Sequence, residues 1–319
     1  AKEEGWALDA LGNWAGYVTK TAGSTDLDQS RTVNAANEII NITETTGSSW
    51  ANPAFDDAGN MTSVPKPSNL TGTYTATYDA WNRLVKLEDG MTTVAEYAYD
   101  GDNRQIVKSV YSNGSLSHKE HTYYNQQWQA LEVRKEVSSV EDADPLEQYV
   151  WHPLYIDAPI IRDYDASTSG TQVRNYYTFD GNFNVTGLTD NSGAVVERYH
   201  YTPYGQVTVL DANFAIDMDG TSDVDNTVMY TGRRFDTGSG IYHYRTRFYH
   251  AQIGSFISRD TAFYSPVPEN FYCYTEGQPA TATQPLGTPA ITTSSKSNSS
   301  KTSKANSVVG PYPGTGNPE

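Results

Sequence analysis

The stretch Tyr78-Asp79-Ala80-Trp81-Asn82-Arg83-Leu84 decides how this chain folds, because its pattern recurs along the sequence. The pattern is an aromatic or apolar residue, Asp or Asn, two variable residues, Gly or Asn, a polar residue and usually an apolar one. Copies follow one another after roughly 20–25 residues, and recurrence at such a spacing is typical of repeat proteins. The Asp or Asn positions of the copies are Asp9, Asn34, Asp56, Asp79, Asp100, Asn125 and Asp180.

Each copy predicts a turn between two β-strands. An Asp or Asn side chain at the start of a turn accepts a hydrogen bond from the backbone two residues on, and Gly or Asn tolerates a left-handed backbone. The flanking stretches 73–78 and 94–99 alternate with period two, which indicates half-buried strands. The predicted fold class is therefore all-β, built from spiralling antiparallel β-hairpins.

The number of copies predicts an unusually wide sheet. Two strands per copy give about 20–24 strands in all, whereas open twisted sheets rarely exceed about 10 strands without curling. We therefore expect one sheet that rolls into a spiral or tube around a narrow lumen.

Tyrosine is the dominant aromatic residue, with 24 Tyr against 9 Phe and 6 Trp, although hydrophobic residues make up only 37% of the chain. A tyrosine combines an apolar ring with a polar tip, which suits a thin sheet better than a thick apolar core. The tyrosines would serve as cross-strand packing units. The alternative is an aromatic platform for sugar rings, and we favour packing because Tyr recurs with the repeat.

Composition and spacing exclude several partners and sites. The formal charge of −16 repels phosphate backbones, so no nucleic-acid partner is expected. Cys273 is the only cysteine, so no internal disulfide forms. His118 and His121 would point to opposite faces of one strand, and no metal or cofactor is predicted. No apolar run is long enough for a membrane helix. The chain starts at Ala1 without Met, so we expect a processed product or a fragment.

The repeat copies resemble those of the YD-repeat or RHS family, which includes bacterial polymorphic toxins, the C components of insecticidal toxin complexes and the teneurins. Later stretches, such as 230–236, 240–249 and 254–260, resemble the RHS-associated core. The core residues that carry this resemblance include Tyr230, Gly232, Arg234, Gly240, Tyr244, Arg247, Tyr249 and Gly254. The resemblance implies three regions: a YD-repeat hairpin region over 1–197, an RHS-associated core over 198–287, and a tail over 288–319.

In this family the sheet forms a hollow shell that the core closes, and an aspartic self-cleavage releases a C-terminal toxin. The resemblance places degenerate candidates for that reaction at Asp260, Arg259 and Gln284, the last in the terminal motif Gln284-Pro285-Leu286-Gly287. An aspartic mechanism needs two carboxylates that share a proton, and Gln284 cannot titrate. We therefore expect self-cleavage to be lost and the chain not to be an enzyme. The core arginines are expected to pair with acids such as Asp236 and Asp260.

The leading functional hypothesis is a structural wall of the extracellular space or the bacterial cell surface. The chain would belong to a longer RHS protein or associate with itself, into a tube or filament, through edge strands or its Ser- and Thr-rich tail. The alternatives are the cocoon segment of a polymorphic toxin, an autoprotease that is still active, and a surface adhesin with a glycan or cell-surface partner.

Overall fold

The computed structural model describes residues 2–153, 155–165, 172–260, 270–280, 282–285, 287 and 306–308. These residues form antiparallel strands and two short 3-10 turns, and no α-helix occurs among them. The all-β prediction is confirmed. Within the same ranges, no helix has the length and apolar character to cross a bilayer.

Twenty-four strands follow one another within the described residues. The first twelve are β1 (Lys2–Leu8), β2 (Trp14–Thr21), β3 (Ser24–Val33), β4 (Ile39–Thr46), β5 (Ala54–Phe55), β6 (Met61–Lys66), β7 (Asn69–Tyr78), β8 (Leu84–Asp89), β9 (Thr92–Tyr99), β10 (Gln105–Ser112), β11 (Ser115–Tyr124) and β12 (Ala130–Val137). The others are β13 (Val140–Glu141), β14 (Glu147–Trp151), β15 (Pro159–Asp165), β16 (Gln172–Phe179), β17 (Val185–Thr189), β18 (Val195–Tyr201), β19 (Val207–Asp211), β20 (Arg234–Asp236), β21 (Ile241–Tyr244), β22 (Arg247–His250), β23 (Ser255–Phe256) and β24 (Asn306–Val308).

The strands form three sheets. The first sheet has the order β24-β1-β2-β3-β4, the long sheet comprises the fifteen strands β5 to β19, and the core sheet comprises β20 to β23. Because β18 and β19 lie in the long sheet, that sheet extends past residue 197, the last residue of the predicted hairpin region. Within the tail, residues 306–308 pair with β1 of the same chain; the remainder of the tail lies outside the described residues.

The prediction of one continuous rolled sheet is corrected by this division. The break falls between β4 and β5, where the side chain of Asn52 replaces a neighbouring strand. Its Oδ1 accepts the backbone N–H of Ile42 in β4 at 2.6 Å. The next residue is Pro53, which has no N–H to donate to a ladder. Hairpins therefore continue on either side of this point, but the hydrogen-bond ladder does not.

The seven predicted turn residues occupy equivalent turns. At Asp79 the backbone N–H donates to the carbonyl of Arg83 at 3.0 Å. Its carboxylate Oδ1 accepts the backbone N–H of Trp81 at 2.9 Å and that of Arg83 at 3.0 Å. The same bonds recur at Asp9, Asn34, Asp56, Asp100, Asn125 and Asp180.

Two turns of this type were missed from the sequence, at Asp190 and Asp211. The left-handed position of the turn also accepts large residues. It holds Trp128 with φ 64° and Phe183 with φ 59°, where the sequence pattern expects Gly or Asn. The bonds to the Asp or Asn side chain fix the turn strongly enough to hold these residues in a strained conformation.

In three copies the aromatic residue, Tyr78, Tyr99 or Tyr124, ties neighbouring copies together, and Trp151 forms a similar bond after them. The side chain that ends one strand donates a hydrogen bond to the backbone carbonyl just after the preceding turn. Four consecutive bonds of this kind join Tyr78 to Met61 (3.1 Å), Tyr99 to Leu84 (2.7 Å), Tyr124 to Gln105 (2.9 Å) and Trp151 to Ala130 (2.6 Å). Phenylalanine lacks the donor, so these bonds give a physical reason for Tyr in the repeat.

The core sheet lies between two parts of the long sheet. Successive strand residues point to opposite faces. On one face Ile241 and Phe248 pack in a cluster with residues of β6 to β9. On the other face Tyr242 and Tyr249 pack in a cluster with residues of β16 to β19. Because both faces are covered, all four residues of β22 are buried. The core sheet therefore fills space that the sequence analysis assigned to a lumen.

The tyrosine bonds predict an unequal response to removal of a single hydroxyl. Burial raises the pKa of Tyr99, so its hydroxyl keeps the proton that it donates to Leu84. Tyr99→Phe leaves that buried carbonyl without this donor and should lower the free energy of unfolding by about 1–2 kcal/mol. Tyr123→Phe, at a tyrosine that is 45% exposed, is the matched control and should change little. Urea unfolding followed by circular dichroism measures both, and equal effects would contradict the assignment.

Candidate functional site

Two buried arginines hold the C-terminal end of the core. Arg245 follows β21 in a tight turn with φ 56°, and Arg247 begins β22. Arg247 donates from Nε to the carbonyl of Gly287 at 2.6 Å. Arg245 donates from Nη1 to the carbonyl of Pro285. One hairpin therefore holds Pro285 and Gly287, in the segment that follows Gln284, through their backbone carbonyls.

Arg247 also joins this segment to Asp260. Its Nη2 lies 3.1 Å from Oδ2 of Asp260, and both side chains are only 2% exposed. Its Nη1 donates to the carbonyl of Phe271 at 2.6 Å. The guanidinium thus contacts three separate parts of the core, and its charge is balanced by a carboxylate. This pair confirms the expectation that Asp260 binds a core arginine.

Asp157, which precedes β15 in the long sheet, joins the core to that sheet by binding two arginines of the core. Its Oδ1 accepts from Nη2 of Arg245 at 2.7 Å, and its Oδ2 pairs with Arg233. Gly232 lies against the carbonyl of Asp157 with φ 70°, and any Cβ there would collide with that oxygen. The core is therefore locked to the long sheet by an acid that sequence reasoning missed. No local motif marks it, because its partners are distant in sequence.

Burial lowers the pKa values of Arg245 and Arg247, but both side chains stay charged at neutral pH. Burial lowers the pKa of Arg247 to about 10, and the neighbouring Asp260 opposes that shift. Burial, followed by the charge of Arg233, lowers the pKa of Arg245 to about 10, whereas Asp157 raises it. Both pKa values remain well above 7, so both guanidinium groups are charged at neutral pH.

The structure brings together only some of the degenerate cleavage candidates. Asp260 is linked through Arg247 to the segment that contains Gln284, which is itself buried. The Oε1 of Gln284 has no hydrogen-bond donor within the described ranges. Arg259 is exposed, and its guanidinium lies over the ring of Phe271. Within the described ranges, no hydrogen bond or ion pair joins it to this segment. Leu286 lies outside the described residues.

The remaining core residues anchor the core to the wall. The hydroxyls of Tyr230 and Tyr249 donate to the carbonyls of Pro203 and Tyr204, and that of Tyr244 bonds Thr231. Gly240 and Gly254, both at positive φ, lie against Pro67 and Trp14 respectively, where a Cβ would be too close. Arg234 lies 3.4 Å from Glu147. Each of these residues therefore has a packing role in the structure.

The expected pairing of Asp236 with an arginine is corrected. Its Oδ2 accepts from the hydroxyl of Tyr97 at 2.6 Å, and its Oδ1 lies 3.3 Å from Nζ of Lys108. Asp236 therefore connects the core to β9 and β10 of the long sheet.

The two histidines of β11 each lie beside a different carboxylate. His118 lies 3.5 Å from Glu120, and His121 lies 2.7 Å from Glu136.

The fold and this site define a β-hairpin wall whose own C-terminal core packs against its inner face. No family model matches the chain. The tRNA3(Ser)-specific nuclease WapA of Bacillus spizizenii is 27% identical over 290 residues, which covers 88% of this chain and 11% of that protein. The tRNA nuclease WapA of Bacillus subtilis (strain 168) is 26% identical over 297 residues, with the same two coverages.

A solved toxin complex shows the same fold. The crystal structure of TcdB2-TccC3 matches 88% of this chain and 18% of its own, with a TM-score of 0.52 and 13% sequence identity. At that identity the likeness shows the fold alone. This chain therefore spans 11% of the length of the WapA relatives named above and a similarly small part of the toxin-complex chain.

The buried pair predicts a strongly asymmetric double-mutant cycle. Arg247→Met leaves the carboxylate of Asp260 buried without this partner and should lower the free energy of unfolding by about 3–5 kcal/mol. Adding Asp260→Asn removes that charge and should recover part of the loss. Arg174→Met, which breaks an exposed pair with Asp163, is the control and should be nearly neutral. Denaturant unfolding tests this, and additive effects of the two core substitutions would contradict it.

Proposed function

We propose that this chain is the closing segment of the β-shell of a secreted polymorphic toxin of the RHS or YD-repeat type. The single observation that carries the proposal is the set of hydrogen bonds from Arg245 and Arg247 to the carbonyls of Pro285 and Gly287. These bonds hold the end of the core to the core hairpin, and Arg245 also joins that hairpin to Asp157 beside the long sheet, as the closure of a shell requires. The likeness to WapA over 88% of the chain and the fold shared with TcdB2-TccC3 support the proposal.

In this proposal the wall is structural and any toxic activity resides elsewhere in a longer protein. The names of the WapA relatives include a tRNA nuclease. We assign no nucleic-acid contact to this segment, because its charge of −16 would repel a phosphate backbone. The segment would instead contact its own cargo and the rest of its shell.

The alternative of assembly into filaments through edge strands receives less support. Exposed edges invite pairing with another chain, but several edges here are covered. The edge of β1 is paired with β24. The edge of β4 donates to Asn52. In β19 the carbonyl of Val209 accepts from the backbone N–H of Asp217 at 3.0 Å. These contacts favour a closed wall over an open-ended polymer.

If the segment closes the shell, the bonds of Arg245 and Arg247 to Pro285 and Gly287 should control the access of a protease to the interior. In the complete protein, Arg245→Met combined with Arg247→Met should make the region that follows the core sensitive to a protease added outside. The matched control, Arg259→Met, changes an exposed arginine of the same core and should leave the digestion pattern unchanged. Mass spectrometry of the fragments is the measurement.

Two results keep this test decisive. The isolated segment with the same substitutions must retain its β-sheet circular dichroism, so that unfolding is not mistaken for opening. If the folded variant protects the following region as well as the parent protein does, the segment is not a closure.

We further propose that the segment does not cut itself. The pair of carboxylates that an aspartic mechanism needs is reduced to Asp260, because Gln284 stands at the other position. The freshly purified chain should therefore give one intact mass, and prolonged incubation between pH 4 and pH 8 should not change it. A second, smaller mass that ends near Gly287 and is lost in Asp260→Asn would contradict this proposal.

A further inference from the structure

A cavity of about 210 Å³ lies where the first sheet, the long sheet and the core meet, away from the arginine site. Five aromatic residues line it: Trp6, Trp14, Tyr17, Trp50 and Tyr204. They come from β1, β2, the break before β5 and the turn after β18. Each element is placed by the fold, so the cavity depends on the break between the first sheet and the long sheet.

The aromatic rings form a connected cage. Trp6 stacks on Tyr17 with ring centres 5.6 Å apart, and Trp14 meets the ring of Tyr204 edge-on at 4.5 Å. Trp50 reaches Tyr17 at 6.2 Å. Gly254 lies so close to Trp14 that a Cβ would collide with the indole, which fixes that ring in place. The cage is therefore formed before any ligand arrives.

Polar groups accompany the rings, but no charged side chain lines the cavity. Thr19, Thr202, Gln206 and Gln252 supply hydroxyl and amide groups. Among the described residues, the buried Nε1 of Trp6 has no acceptor and the buried Oε1 of Gln252 has no donor. Buried polar atoms without partners are rare in folded proteins. Here two unused donors, the Nε1 atoms of Trp6 and Trp14, and one unused acceptor, Oε1 of Gln252, belong to residues that line the same cavity.

A neighbouring cation argues against a charged ligand. The guanidinium of Arg31 lies 4.6 Å from the ring centre of Trp14 and 5.4 Å from that of Trp50. Burial lowers the pKa of Arg31 to about 9, so it stays charged at neutral pH. A cationic ligand would be repelled by Arg31. An anionic ligand would lose its hydration in a lining whose side chains are all uncharged, and Arg31 lies outside that lining.

We propose that this cavity binds a single neutral sugar ring, such as the terminal pyranose of a glycan. A pyranose has C–H faces that stack on aromatic rings and a rim of hydroxyls that both donate and accept hydrogen bonds. The size agrees, since a cavity of ~150 Å³ holds benzene and this one is larger. The exposed side chain of Gln206 marks where the cavity opens to solvent. This inference does not depend on the proposed shell function.

Titration with methyl glycosides of glucose, galactose, mannose and N-acetylglucosamine tests the proposal, with tryptophan emission as the signal. At least one should give a saturable change, with a dissociation constant of about 1 mM or below. Gln206→Trp places a bulky ring at the mouth of the cavity and should weaken binding at least tenfold. Gln252→Leu removes the unused acceptor and should weaken binding as well. Trp81→Ala, at an exposed tryptophan on a distant turn, should leave binding unchanged.

Charged sugars and an apolar ring complete the test. Glucosamine and glucuronic acid should bind more weakly than the neutral glycosides, because of Arg31 and the uncharged lining. Benzyl alcohol should not bind more tightly than the best glycoside. The proposal is overturned if no glycoside binds saturably up to ~100 mM, if Gln206→Trp leaves the affinity unchanged, or if only benzyl alcohol binds.

Discussion

The hydrogen bond from a repeat tyrosine to the backbone of the preceding copy is the constraint on which the stacking of the central copies depends. A hairpin of two strands is marginally stable alone, and the local turn bonds at an Asp or Asn act only within one copy. The hydroxyl of Tyr99 reaches Leu84 in the preceding copy, and Tyr78 and Tyr124 do the same. A local motif thereby specifies how each copy stacks on its neighbour.

The interior is organised by charges that are buried in pairs. Removing two charges from water is costly unless geometry and hydrogen bonds compensate. Arg247 meets Asp260 and two carbonyls, and Arg245 meets Asp157 and one carbonyl. Such sets of partners are available in one position of the core only. We infer that these pairs select a unique placement of the core sheet, which two apolar faces alone would not do.

The sequence allowed prediction of what is local. Asp56, Asp79 and Asp100 each form the expected turn, because one side chain and a few backbone groups determine it. The break into separate sheets was not predictable, since it rests on a single side chain, Asn52, bonding to β4. The site was predicted in part: Arg247 and Asp260 came from a resemblance, whereas Asp157 depends on contacts between distant segments. Trp128 occupies a left-handed backbone position to which the repeat pattern assigns Gly or Asn.

The burial of Cys273, the one cysteine of the chain, bears on how the wall responds to redox conditions. Its thiol lies against the turn at Gly12, and burial raises its pKa to about 12, so it keeps its proton at neutral pH. All the links that join the described copies are hydrogen bonds, ion pairs and apolar packing. Because none of these links is a disulfide, neither a reductant nor an oxidant of thiols acts on a bond that joins one described copy to the next.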